Sequence, residues 1–247
     1  MRKFASLIAL AALTSGHLAS AQQRDPQNPT CPPNPNWSNY REMRFTPQTV
    51  NGNQVLLAEG VVDSGVVARL RAALDANPNI GEIWFRSPGG NARVGNEAGR
   101  VIREAGMLTR IPNGWACFSA CNFMFMGGMA RFVDNGGLFI VHMFTHTSDR
   151  AALEQALQRN ASQTVGQIEQ QSAQLGVEDN MFLIRMGVRP SLLTDIMYQV
   201  SAVRQERRCL TQQEVVHYNV ATAPWQEGQS AQAAAPGSSQ RNPRRGN

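Results

Sequence analysis

Short apolar runs alternate with amphipathic stretches between residues 54 and 142. Gln54–Val62 carries Val55, Leu56 and Leu57 in succession and predicts a strand that ends near Gly60. Asp63-Ser64 then offers helix caps, and Val66, Val67, Leu70 and Leu74 recur at helical spacing until Asn77-Pro78 stops them. Glu82–Phe85 predicts a short strand running into Ser87-Pro88-Gly89-Gly90, a turn by its residue types. A helix from about Val94 to Ala105, ended by Gly106, precedes a strand over Met107–Ile111 and a turn at Pro112-Asn113-Gly114. Ser119–Met126 is apolar enough for a buried helix, ended by Gly127-Gly128, and Leu138–Val141 predicts a strand that delivers His142 at its end. The last long pattern, Asp149–Leu175, predicts one polar helix with apolar positions Leu153, Leu157, Ala161, Val165, Ile168 and Leu175. Strands and helices in this alternation predict an α/β layer structure with a mostly parallel sheet.

The flanks read differently. Arg2 and Lys3, the apolar stretch Phe4–Leu13 and Ala19-Ser20-Ala21 form the pattern of a secretory signal peptide over residues 1–21, cleaved before Gln22. Residues 22–39 carry five prolines and predict an extended leader with little secondary structure. From about Pro224 the composition turns to Ala, Gln, Gly, Ser and Arg, a disordered tail by its residue types. The domain is therefore expected over residues 40–223, with no internal repeat. No apolar run reaches the roughly 18 residues that a membrane-spanning helix needs. Export implies a periplasmic or secreted protein.

Charge changes this picture little, but lysine changes it a great deal. The formal net charge is +5, and removal of residues 1–21 takes away Arg2 and Lys3 and leaves +3. Three more arginines sit in the tail, so the core is nearly neutral and nucleic acid is not an expected partner. Of the 23 basic residues 22 are arginine, and the single lysine is Lys3. A mature chain without lysine excludes Schiff-base catalysis, a Walker-type phosphate loop and a Ser–Lys dyad. No cofactor is implied.

In an oxidising compartment the four cysteines, Cys31, Cys117, Cys121 and Cys209, are disulfide candidates with three possible connectivities. Cys117 and Cys121 stand at i and i+4 among aromatic residues, which makes them structural groups rather than nucleophiles. Cys117-x3-Cys121 and His142-x3-His146 also imitate a zinc spacing. The segment between the pairs, however, has 20 residues and is apolar and Gly-rich, so no metal site is assigned.

Three features carry chemistry together. Ser87-Pro88-Gly89-Gly90 follows a strand, and its glycines let backbone N–H groups point outward, as an oxyanion hole requires. Ser119 stands at a strand-to-helix junction in Gly114–Cys121, where a plain N-cap is the alternative role. His142 ends an apolar strand, whereas His146 falls in a Thr-rich loop and His217 near the tail.

In this order and spacing, Val55–Val62, Ile83–Gly90, Gly114–Gly128 and Phe139–His142 resemble the ClpP-type serine peptidases of the ClpP/crotonase group. A weaker match continues at Arg208–Val220, like the segment where a Leu-Ser/Thr pair begins that family's last helix. The resemblance implies a ClpP/crotonase-like spiral of β-β-α units with flanking helices. It also implies Ser119 as nucleophile, His142 as general base, and the N–H groups of Gly89 and Ala120 as the oxyanion hole. The family's Asp falls near Val203 here, and Glu206 and Asp195 are the nearest acids. The absence of lysine sets the chain apart from the Ser–Lys signal-peptide-peptidase type, and export sets it apart from the CoA-dependent crotonases and from ATP-driven ClpP. The resemblance thus implies an exported, ATP-independent serine hydrolase acting on peptides or unfolded segments. Subunit contact through the helix after His142 would make it a homo-oligomer. The alternative, suggested by the valine at the acid position, is an inactive ClpP-like binding or assembly module.

Overall fold

The computed structural model describes residues 30–144, 150–202, 204 and 206–222. The expected signal peptide, the tail, His146 and Val203 lie outside them, as does Asp149, where the last helix was expected to begin.

The fold is α/β with a mostly parallel sheet and flanking helices, as the hydrophobic pattern predicts. Strands β1 (Arg44–Val50) and β2 (Asn53–Glu59) form an antiparallel hairpin. Asn51 and Gly52 both have positive φ, 52° and 81°, the backbone that a tight two-residue hairpin turn requires. β1 has no apolar alternation in the sequence because it is an exposed edge strand, and it tolerates Pro47 for the same reason. β3 (Glu82–Arg86), β4 (Leu108–Ile111) and β6 (Arg131–Val133) follow in parallel, in the order β1-β2-β3-β4-β6.

A second sheet, in the order β5-β7-β8, joins β5 (Ala116–Phe118), β7 (Leu138–His142) and β8 (Arg207–Cys209). β5 and β7 are parallel, β7 and β8 antiparallel, and a parallel bridge from Ser87 to Cys117 connects the two sheets. Twice the chain gives one strand to the first sheet, one to the second, and then a helix, while after β2 and β3 the second strand is reduced to an isolated bridge. β4 and β5 lead to α3 (Ala120–Met126), and β6 and β7 lead to α4 (Arg150–Arg159). This is a spiral of β-β-α units.

The remaining helices are α1 (Val66–Ala76), α2 (Ala92–Glu104), α5 (Ala161–Met186), α6 (Ser191–Gln199) and α7 (Gln212–His217). α2 begins two residues before the expected Val94, because the Asn91 side chain accepts from the Val94 N–H and caps it there. The single helix expected over Asp149–Leu175 is instead two. Asn160 takes an extended conformation and accepts from the Gln163 N–H, so α4 ends and α5 begins, and α5 runs on to Gly187 in the left-handed region. Of the expected apolar stripe only Leu175 is buried. The face of α5 that packs on the core is Leu175, Phe182, Leu183 and Met186, mostly beyond the pattern read from sequence.

α2 and α3 pack at backbone distance. A β-carbon at Gly95 would overlap the Ala120 carbonyl oxygen, and one at Gly99 would overlap that of Phe123. Close approach of these helices fixes α3 against the sheet edge. The C-terminal segment is tied in by the buried Arg131, whose guanidinium donates to the carbonyls of Val220, Asn219, Met186 and Gly128. Burial and the neighbouring Arg103 pull its pKa down to about 10.

Residues 31–39 have no helix or strand but are not loose. Trp37 stacks on Phe118, the Ala116 N–H donates to the Asn36 carbonyl, and Cys31 is bonded to Cys209. The second disulfide joins Cys117 to Cys121.

The two disulfides close loops of very different length, with sequence separations of 178 and 4. Chain-entropy arithmetic gives about 5 kcal/mol for the first and about 2 kcal/mol for the second. Urea denaturation of the Cys31→Ala/Cys209→Ala and Cys117→Ala/Cys121→Ala double variants should therefore show the larger loss in the first.

Candidate active site

Ser119 lies between β5 and α3 with φ 56° and ψ −123°, a conformation rare outside glycine. Holding a serine there costs on the order of 1–3 kcal/mol and persists only where the surroundings impose it. They do so from three sides. Phe118 donates to the Ser87 carbonyl, and Ser87 donates to the Ala116 carbonyl, which fastens β5 to the Ser87–Gly90 turn. Asn122, one turn into α3, donates from its backbone to the Ser119 carbonyl and from Nδ2 to the Ile140 carbonyl on β7. The Cys117–Cys121 bond spans the serine and ties β5 to α3.

The strained turn sets the direction of the hydroxyl. Ser119 makes no side-chain cap bond, so the plain N-cap role does not apply. Its Oγ lies 2.6 Å from Nε2 of His142, at the end of β7. The imidazole packs against the Phe118 ring at 4.6 Å. Burial pushes its pKa below the ordinary 6.5, partly opposed by a hydrogen bond with the Met143 backbone. His142 is therefore held neutral at physiological pH, with Nε2 against a hydroxyl. His217 lies instead against Tyr218.

Among the described residues, neither expected acid contacts His142. Glu206 pairs with Arg204 at 2.6 Å and accepts from the Ser201 N–H, and Asp195 accepts from the Tyr218 hydroxyl. Both carboxylates are engaged elsewhere.

The Ser87–Gly90 turn is pressed against the serine. A β-carbon on Gly89, whose φ is 83°, would overlap the Phe118 carbonyl oxygen and lie 2.7 Å from Cβ of Ser119. The Gly89 N–H is occupied, donating to Oγ of Ser87 at 3.1 Å, and that buried hydroxyl donates in turn to the Gly60 carbonyl at 2.6 Å. Among the described residues the N–H groups of Ala120 and Gly90 have no acceptor. Gly90 is a donor that the sequence reading left out.

All four candidate cysteines are disulfide-bonded, Cys117 to Cys121 and Cys31 to Cys209. The two thiols of the zinc-like spacing are thus joined to each other. Among the described residues no three His, Cys, Asp or Glu side chains converge as metal ligands.

A cavity of about 290 Å³ opens beside Ser119 and His142. Its wall is largely apolar, with Phe123, Met126, Leu183, Leu192 and Ile196, and it also includes Asn122 and Asp179. Burial pushes Asp179 up to about 7. Sequence reasoning missed Asn122 and Asp179, and also Ser172, which lines the cavity from α5. Asn122 had a legible signal, as the one polar residue in the apolar run Cys121–Met126. Asp179 had none, because it stands in a polar stretch far from the serine in the chain.

No family model matches the chain, and no curated protein matches it. Among solved structures it is similar to a ClpP1 mutant from Listeria monocytogenes, at 11% identity and a TM-score of 0.48, over 68% of this chain and 88% of that one. It is also similar to a mutant of a membrane-bound stomatin-specific protease, at 11% identity and a TM-score of 0.42, over 68% and 75%.

Gly89→Ala places a methyl group against the serine and forces a left-handed backbone on alanine. We expect a loss of about 1–3 kcal/mol in denaturant unfolding, together with at least a tenfold slower reaction of Ser119 with a fluorophosphonate.

Proposed function

We propose that the chain is a serine hydrolase of the peptidase type, with Ser119 as nucleophile and His142 as general base. The observation that carries this reading is the 2.6 Å contact between Ser119 Oγ and His142 Nε2, made by a serine in a strained turn beside an apolar cavity. A serine hydroxyl is a weak nucleophile until a base within hydrogen-bond reach takes its proton, and a neutral imidazole is such a base.

In the reaction, Oγ adds to the substrate carbonyl while its proton passes to Nε2. The negative charge gathers on the former carbonyl oxygen, where the N–H groups of Ala120 and Gly90 donate to it, that of Gly89 being held by Ser87. The intermediate collapses, the C–N bond breaks, and the leaving amine takes the proton back from His142. Water then attacks the acyl-serine by the same route in reverse. No step needs lysine, nucleotide or metal. An imidazole without an acidic partner catalyses more slowly, and loss of the triad acid costs on the order of 10⁴ in rate.

The enzyme works after export, as the N-terminal pattern of residues 1–21 and two disulfides in a small domain support. It is ATP-independent, acts on peptides or unfolded segments, and assembles as a homo-oligomer. Val177, Met181 and Ile184 on α5 and Tyr198 on α6 are exposed apolar residues available for subunit contact.

Ser119→Ala should abolish fluorophosphonate labelling, and His142→Ala should lower its rate by orders of magnitude with the far-ultraviolet circular dichroism unchanged. A folded wild type that is not labelled would support the inactive-module alternative. The base form of His142 is the active one, so the rate should rise with pH through the imidazole pKa. Because burial lowers that pKa, the half-maximal point should lie below pH 6.5. Intact-mass analysis of the exported protein should give a chain beginning at Gln22.

A further inference from the structure

The wall of the cavity beside Ser119 has three polar side chains that the reaction does not use, the exposed Ser172 and the more buried Asn122 and Asp179. Asn122 is only 6% exposed. Its Nδ2 is committed to the Ile140 carbonyl at 2.7 Å, and its Oδ1 is buried with no hydrogen-bond partner. An unpartnered buried acceptor costs roughly 1–3 kcal/mol, which a ligand donor would recover. Asp179 is half-buried on α5. Among the described residues it makes no ion pair, and its hydrogen-bond donor is Nδ2 of Asn96 at a long 3.5 Å. The nearby cation Arg93 is engaged with Glu178, at 3.0 Å. One wall of the cavity thus offers two under-satisfied acceptors among Phe123, Met126, Leu183 and Ile196.

The geometry points to this cavity as the pocket for a basic substrate side chain, arginine or lysine, on the acyl side of the bond that Ser119 attacks. The proposal rests on the serine hydrolase reading and names its substrate class. An aliphatic side chain would cover the apolar wall but leave Asp179 and Oδ1 of Asn122 unpaired. An acidic one would meet like charge. A basic side chain satisfies both parts: its methylene stem lies along the Leu, Met and Phe surface, and its N–H donors reach the acceptors. The volume of about 290 Å³ lies at the small end of ligand cavities and suits a side chain rather than a larger group.

Charge on Asp179 makes the preference depend on pH. The charged and titratable groups around it are Glu178 on its own helix, Arg93 on α2, and His142, which lines the same cavity from β7. Desolvation raises its pKa to about 7, with Glu178 adding to the rise and Asn96 and Arg93 opposing it. The carboxylate form, which attracts a cation, therefore predominates above about pH 7. Titration of His142 changes the rate for every substrate alike and cancels in a ratio of two substrates.

The test uses the mature chain and fluorogenic peptides that differ only at the residue before the scissile bond: arginine, lysine, norleucine or glutamate. The ratio of kcat/KM for arginine over norleucine should be at least 10 at pH 8. It should fall several-fold at pH 6 and approach 1 in Asp179→Asn at either pH. A wild type that cleaves after norleucine as fast as after arginine at pH 8 would overturn the proposal, as would a ratio that does not change between pH 6 and pH 8. The pH arm needs no variant, so the test stands even if Asp179→Asn fails to fold. Calorimetric binding of n-pentylguanidinium to folded Ser119→Ala, against n-hexanol as the neutral comparison, examines the pocket without catalysis, and tighter binding of the guanidinium is the expected result. Fluorophosphonate labelling without a basic preference would remove the pocket and keep the hydrolase. Guanidinium binding without labelling of wild type would do the reverse.

Discussion

The site depends on one close approach, that of the Ser87–Gly90 turn onto the junction between β5 and α3. The turn and the junction meet at backbone distance, with Gly89 against Phe118, Ser119 and Ala120. Ser87 anchors the contact through four hydrogen bonds, two of its backbone with β5 and two of its hydroxyl, with the Gly60 carbonyl and the Gly89 N–H. A side chain on Gly89 would separate the two segments. Without that contact the positive φ of Ser119 would lose one of its supports, and the serine could relax toward an ordinary helix cap, with its hydroxyl turned onto its own backbone. Strain at the serine and close packing at the glycine are two sides of the same constraint.

The rest of the fold keeps that contact in place. α2 lies against α3 through Gly95 and Gly99, so the helix that follows the turn and the helix that follows the serine move as one body. Asn122 ties α3 to Ile140 on β7, two residues before His142, and so fixes the imidazole with respect to the Ser119 hydroxyl. Arg131, buried at the start of β6, gathers carbonyls from the C-terminal segment and the end of α5 around one guanidinium. Removing it would leave the Val220 and Asn219 carbonyls without this donor in the interior, with Arg103 still reaching that of Met186, a strongly destabilising outcome. The Cys31–Cys209 bond closes the same body at its other end, where the leader meets β8.

Electrostatics separates the two titratable groups of the cavity. Burial acts on both, but it favours the neutral form of each, and so it moves a histidine down and an aspartic acid up. The imidazole of His142 is shifted toward its neutral form, and Asp179 is a carboxyl group near its point of titration at neutral pH. One apolar environment thus moves two groups in opposite directions, and the proposed uses, the proton of Ser119 for one and a ligand charge for the other, follow from that difference.

The sequence by itself determined the layer order, the turn at Ser87–Gly90, the serine junction and the strand that ends in His142. Those features are local: glycine and proline punctuate turns, and apolar periodicity marks strands and helices wherever one face is buried. The resemblance to the ClpP-type peptidases implied Ser119 and His142 as a pair, and the structure brings the two side chains together. Only the tertiary structure decided the rest. β5, β6 and β8 have three residues each, too few to show a period. The break at Asn160 is a single extended residue whose side chain caps α5, and the buried face of α5 begins only at Leu175. The disulfide pairing was left open among three connectivities because it depends on which segments the sheets bring together. Glu206 and Asp195 looked available as acids, and partners elsewhere in the fold claim both. Asp179 and the free Oδ1 of Asn122 acquire their character from burial against α2 and β7, and burial is a property of the packed molecule rather than of any stretch of its chain.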